Sequence, residues 1–154
     1  MVTPMQALRQ LVSGTDFSDC AEHALEQAIE LALTASARIT LVHVYEPGDD
    51  DLDDRRLLQH EAALCEVVAR HRRRGVEITG VLRSGRPWTK LDNVAAEVGA
   101  SLIVVGRHGA GRGRIAELGS VAAHLVRAAN RPVLTVACDP DHFCSKTQEA
   151  NHSF

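Results

Sequence analysis

The feature that narrows the fold most is an alternation of period. Five short apolar runs of β character are separated by longer stretches in which apolar residues recur every three or four positions. The runs are Leu8–Ser13, Arg38–Val44, Val76–Leu82, Leu102–Val105 and Pro132–Val136. Between them lie Ser18–Ala35, Arg55–Arg74, a stretch opened by Gly85-Arg86-Pro87 and closed by Gly99, and Ser120–Ala129. Strands and helices taken strictly in turn specify crossover units and a parallel sheet. Leu102-Ile103-Val104-Val105 has no polar gap, as expected of a strand covered on both faces. The reading is an α/β fold: a single open five-stranded parallel sheet with helices on both faces. Ligands of such sheets sit beyond the carboxyl ends of the strands, where strand order reverses. That points to the loops after the first and fourth strands.

Local signals place the helices. Asp19 and Glu22 stand three apart at the start of the first, as in a capping box. Ala21, Leu25, Ala28, Ala32 and Ala35 form its inward face. The second carries Leu57, Leu58, Ala62, Leu64, Cys65, Val68 and Ala69, with Arg70, Arg72, Arg73 and Arg74 at its end and Gly75 as its stop. Five aspartates between Asp49 and Asp54 precede it and read as a solvated helix start. A hard-cation loop would need ligands at alternate positions and a turn glycine. Pro87 opens the third helix, whose inward residues are Leu91, Val94, Ala95 and Val98. The fourth turns Val121, Leu125 and Ala128 or Ala129 inward.

Size and composition set the outer limits. The 154 residues fit one domain, large enough to fold without disulfide or metal staples. Residues 1–137 form that domain, and 138–154 read as a polar tail. A net charge of -3 supplies no field for nucleic acid or an anionic membrane. Aromatics make up only 3%, too few for a base-stacking platform. No apolar run approaches the roughly 20 residues of a membrane span, and the first ten residues lack a signal-peptide core. A cytoplasmic protein is the expectation. Cys20, Cys65, Cys138 and Cys144 form no CxxC pair, and in a reducing compartment they are expected as free thiols.

The chemistry is concentrated after the fourth strand. Gly106 to Gly119 holds five glycines in fourteen residues, with Arg107, Arg112 and Arg114 among them. Glycines let backbone amides approach an anion, and the segment ends at a helix start, Gly119-Ser120, where free N–H groups favour phosphate. On spacing alone the alternative is a flexible turn with solvated arginines. There is no GxxxxGK[ST], and Arg114 and Ala116 stand where a GxGxxG needs glycine.

Gly106, Gly109, Gly119 and Ser120 have the spacing glycine, two residues, glycine, nine residues, then glycine and Ser or Thr. Further segments flank it: Gly14-Thr15-Asp16-Phe17-Ser18, Leu41-Val42-His43-Val44, Gly85-Arg86-Pro87 and Arg131-Pro132-Val133-Leu134. Together they resemble the ATP-binding branch of the universal stress protein family, over roughly residues 8–137. Ser101 departs from the Asp that this family often has there.

The resemblance implies strand order 3-2-1-4-5, an adenine nucleotide alpha hydrolase-like fold, a homodimer, and ATP held alone or with Mg or Mn. It assigns Gly106, His108 and Gly109 to the ribose and phosphates, and Gly119, Ser120 and Val121 to phosphates at the helix start. Thr15 and Asp16 would lie against the nucleoside and Val42 would line the adenine pocket. Arg112 and Arg114 are added on charge and position, as groups able to reach terminal phosphates, and Arg107 adds to the same positive loop. Val133, Leu134 and Val136 are candidates for pairing with a second copy, because an apolar sheet edge needs covering.

Other readings carry less. The alternative enzyme class, a PP-loop pyrophosphatase or adenylyl transferase, needs SGGxDS; this chain has Ser13-Gly14-Thr15-Asp16-Phe17-Ser18 and no substrate domain. An interaction module with an empty pocket would not need the glycine motif. Ser120 reads as a phosphate-binding hydroxyl because no base is placed beside it in sequence. His108 reads as a hydrogen-bond donor and His43 as a hydrogen-bonded core residue. Cys138, His142 and Cys144 match no common zinc spacing. The expected role is a regulatory dimer in stress response, with unknown protein partners.

Overall fold

A computed structural model describes residues 8–48, 54–108 and 118–138. In chain order the elements are β1 (Gln10–Thr15), α1 (Asp19–Ala35), β2 (Arg38–Tyr45), α2 (Asp54–Arg72), β3 (Glu77–Ser84), α3 (Pro87–Val98), β4 (Leu102–Gly106), α4 (Ser120–Ala128) and β5 (Val133–Val136). The strands form one parallel sheet in the order β3-β2-β1-β4-β5, the expected order. The chain winds outward from β1 through β2 to β3, then crosses back to β4 and continues to β5. Strand order therefore reverses between β1 and β4.

Period-two alternation divides the sheet into two apolar faces. Leu11, Ile39, Leu41, Ile78 and Val104 join the α1 and α2 residues Leu25, Ile29, Leu64 and Val68 in one core. Val12, Val42, Ile103 and Val105 join Leu91, Val94 and Ala95 of α3 and Ala122 and Leu125 of α4 in the other. In register, Leu11 stands opposite both Ile39 and Leu102.

α1 starts one residue earlier than a capping box at Asp19 would place it. Its cap is Ser18, whose hydroxyl accepts from the Ala21 N–H at 3.2 Å. Glu22 instead spans to α2, accepting from His71 Nε2 at 2.6 Å and from Arg70 at 2.9 Å. His71 is buried, so this link ties the two helices beneath the surface.

The inward stripe of α2 is Leu64, Val67, Val68 and His71. Of the other apolar residues that the sequence gives this helix, Leu58, Ala62, Cys65 and Ala69 are exposed. α2 lies over the β2 and β3 end of the sheet, where only a narrow stripe meets other atoms. Val98 of α3 is likewise exposed, and α4 buries Ala122 beside Leu125.

One expectation is overturned outright. Cys20 and Cys138 are not free thiols but form a disulfide, with Cα atoms 5.4 Å apart. The topology brings the first turn of α1 beside the chain leaving β5, and no argument from cysteine spacing captures a pair 118 residues apart. Cys138, placed in a loose tail by its composition, is thereby anchored. Cys65 is a free, exposed thiol. The aspartate run up to Asp53, and His142 and Cys144 with the rest of the tail, lie outside the described residues.

Candidate functional site

A cavity of about 480 Å³ opens at the carboxyl ends of β1, β2 and β4, where strand order reverses. From β1 and the turn after it come Gly14, Thr15 and Asp16. β2 and the residue following it contribute Val42, Val44 and Glu46. Gly106 and His108 come from β4 and its exit, and Gly119, Ser120, Val121 and Ala122 from the start of α4. Ala21, Pro87, Leu91 and Val105 complete the wall.

Of the residues singled out in the sequence, Thr15, Asp16, Val42, Gly106, His108, Gly119, Ser120 and Val121 all line this cavity. Arg107 is half-buried and is not among the lining residues. Its N–H donates to the Val136 carbonyl at 2.8 Å, and its carbonyl accepts from the Gly119 N–H at 2.8 Å. It therefore positions the start of α4 through its backbone. Gly109, Arg112 and Arg114 lie outside the described residues. The lining residues that sequence reasoning did not assign to the site are Gly14, Ala21, Val44, Glu46, Pro87, Leu91, Val105 and Ala122. Their contribution depends on crossover geometry. The signals that could have found some of them are the flanking segments that hold Gly14, Val44 and Pro87, and the position of Glu46 just past a strand end.

The turn after β1 is held by its own side chains. Thr15 Oγ1 accepts from the Phe17 N–H at 3.0 Å, and Asp16 Oδ1 accepts from the Ser18 N–H at 3.0 Å. Phe17 has φ +64°, a left-handed conformation that a bulky side chain rarely adopts. Its ring lies against His43, with centroids 4.3 Å apart. His43 Nδ1 is 2.8 Å from the Thr15 carbonyl and donates to it, which leaves Nε2 to accept from His60 Nδ1 at 2.9 Å. Burial holds the His43 pKa below its ordinary value, and nearby His60 adds to this. The hydrogen bond to Thr15 and the charge of Asp16 act in the opposite direction. His43 is thus the hydrogen-bonded core residue expected, with a neutral ring bracing one lip of the cavity.

The opposite lip is the start of α4. Gly119 is its N-cap, with φ −61° and ψ 161°, and makes no side-chain capping bond. The N–H groups of Ser120, Val121 and Ala122 are those an α-helix leaves without an intrahelical partner, and all three residues border the cavity. His108 Nδ1 is buried without a hydrogen-bond partner among the described residues. Gly106 has a second reason to lack a side chain: a Cβ there would come within 3.0 Å of Cys20 Sγ and 3.1 Å of the Cys20 backbone.

The order of the sheet and the position of its cleft define a doubly wound α/β protein with a ligand-sized pocket at the switch point. Residues 7–137 match the profile of the Universal stress protein family, and the chain belongs to that family. It is 32% identical over 146 residues to universal stress protein Rv1636 of Mycobacterium tuberculosis, covering 86% of this chain and 98% of that one. Among solved structures it is similar to a universal stress protein in complex with cAMP, with 30% identity, TM-score 0.70 and coverage of 85% and 98% of the two chains. The universal stress protein of Archaeoglobus fulgidus in complex with dAMP shares 28% identity at TM-score 0.68, over 84% and 98%. No helix among the described residues is long and apolar enough to cross a membrane.

Proposed function

We propose that this chain is a cytoplasmic, dimeric universal stress protein that binds adenine nucleotide, ATP foremost, as a regulatory ligand in stress response. The observation that carries the reading is the start of α4, where a glycine cap leaves the Ser120, Val121 and Ala122 amides bordering the cavity that His108 also lines. These amides are donors without an intrahelical acceptor, and a helix start favours an anion. The Asp16 and Glu46 carboxylates enter from the β1 and β2 side. They suit the hydroxyls of a ribose and the amino group of a base, and Val42, Val44 and Leu91 offer the base an aliphatic wall. Two relatives whose structures hold cAMP and dAMP support the adenine assignment. A Mg or Mn ion accompanying ATP would take its ligands mainly from the phosphates, since the described residues hold no group of three or more metal-ligating side chains.

Three amides and the Ser120 hydroxyl, at about 1.5–3 kcal/mol per charge-assisted bond, with burial of the base, suffice for the roughly -8 kcal/mol of a micromolar ligand. Calorimetric titration with ATP is expected to give micromolar affinity. Gly119→Val is expected to weaken it at least about tenfold, a change of about 1.4 kcal/mol. The backbone at Gly119 suits any residue, so this variant should fold. Unchanged affinity in it would overturn the site assignment. Phosphate release is expected well below about 1 s⁻¹, the low end for enzymes. The dimer reading rests on β5, an edge strand with Leu134 exposed. Light scattering at micromolar concentration should give twice 16.7 kDa, and a monomer would exclude it.

A further inference from the structure

The Cys20–Cys138 bond lies against the wall of the cavity. Cys20 is in the first turn of α1 beside Ala21, a lining residue, and its sulfur packs where a Gly106 side chain would be. Cys138 lies two residues beyond the end of β5. From there a short chain of contacts reaches the far lip. The last residue of β5, Val136, accepts from the Arg107 N–H, and the Arg107 carbonyl accepts from the N–H of Gly119, the cap of α4. The bond thus fastens both flanks of Gly106, the α1 side directly and the α4 side through the end of β5.

The geometry points to a thiol–disulfide exchange site that sets the affinity of the cavity for its ligand: tighter in the disulfide form, weaker in the dithiol form. This rests on the adenine nucleotide reading above. In reducing compartments a disulfide that forms is commonly a redox-sensing one. The co-reactants are a dithiol reductant and a low-molecular-weight disulfide. Cys20 is buried and Cys138 half-buried, so Cys138 Sγ is the atom open to attack. One reductant thiolate bonds to Cys138 Sγ as the bond to Cys20 breaks and Cys20 leaves with the electron pair. The second reductant thiolate then displaces Cys138 and closes a cyclic disulfide on the reductant. The two protons of the dithiol end on Cys20 and Cys138. Oxidation by a small disulfide runs the same exchange backward, releasing two thiols.

With the bond intact, the first turn of α1 and the end of β5 are held at fixed separation, and the Arg107 to Gly119 contact is held with them. Without it, no other disulfide among the described residues holds the end of β5, and the donor groups at α4 lose order that a ligand must then restore.

The test is ATP titration of the full chain equilibrated with glutathione disulfide or with reduced dithiothreitol. Reduction is expected to raise the dissociation constant about fivefold or more, the lower end of typical coupling between sites. Cys20→Ser/Cys138→Ser should match the reduced protein and ignore redox state, while Cys65→Ser, remote on α2, should behave as the parent. Equal affinity in both redox forms, or no Cys20–Cys138 cross-linked peptide after oxidation, would overturn the inference. Failure of both forms to bind ATP would instead refute the nucleotide reading. In that case amide exchange at Arg107 and Gly119 decides: faster exchange on reduction sustains the redox coupling of the wall, and unchanged exchange overturns it.

Discussion

The two apolar faces of the sheet are built from the same residue types, yet they are committed differently. No member of the core under α1 and α2 borders the cavity. Under α3 and α4, Val42, Leu91, Val105 and Ala122 serve at once as core and as cavity wall. The helices follow suit. α1 and α2 have 17 and 19 residues, α3 and α4 have 12 and 9. One face can therefore be packed for stability alone, while the other gives up closure so that a ligand can enter. Substitutions of equal size should show this as a separation of effects.

The largest effect is expected from Ile29→Ala, fully buried in the α1 face. It should cost about 3–5 kcal/mol in denaturant unfolding, with the ATP affinity of the folded fraction unchanged. Leu91→Ala should cost less, about 2 kcal/mol, because its neighbours already border open space, but it should weaken ATP binding measurably. If both variants lose affinity equally, the two faces are not divided as described.

Two glycines, both facing α1 and α2, differ at smaller scale according to what stands opposite them. At Gly80 in β3 an added methyl would meet side-chain carbons of Leu64 and Val68 at 3.2 Å. These can yield, so Gly80→Ala should stay within about 1 kcal/mol of the parent. At Gly106 the methyl meets the Cys20 backbone, which cannot yield, and Gly106→Ala should cost about 1–3 kcal/mol by thermal melting.

The smallest effect is a pH dependence on the α2 side. Because the native pKa of His43 is lowered, the unfolded chain binds more protons below the ordinary value of 6.5. Its contribution to stability is fully present above that pH. It is lost as pH falls from 6.5 toward the lowered native value, and is then constant. Unfolding measured between pH 7.5 and 5 should show this decline, and His43→Gln should flatten it.

The alternation of strand and helix was legible in the sequence because period two and period 3.6 leave distinct traces in apolar residues. So was one lip of the cavity, since Gly119-Ser120 combines a helix start with a glycine. The buried face of α2 was obscured because His71, a polar residue, completes the stripe begun by Leu64, Val67 and Val68. Ser18 displaced Asp19 as a cap because either residue can serve and only the backbone decides. Leu91 and Ala21 reach the cavity through crossovers whose end points no local pattern records. The disulfide was hidden for a related reason: side chains 118 residues apart become neighbours only when the sheet and its helices are assembled.

That same bond has a mechanical consequence. An edge strand is ordinarily where a sheet begins to peel, since it is held by neighbours on one side only. β5 is such a strand, and tension applied from the carboxyl end would pull on it first. Here the pull reaches Cys138 and passes through sulfur to the first turn of α1, bypassing β5 altogether. The force then falls on a helix seated against β1, β4 and β5, near the middle of the sheet. The oxidised chain should therefore resist stretching from its carboxyl end as a block, and the reduced chain should unravel from its rim.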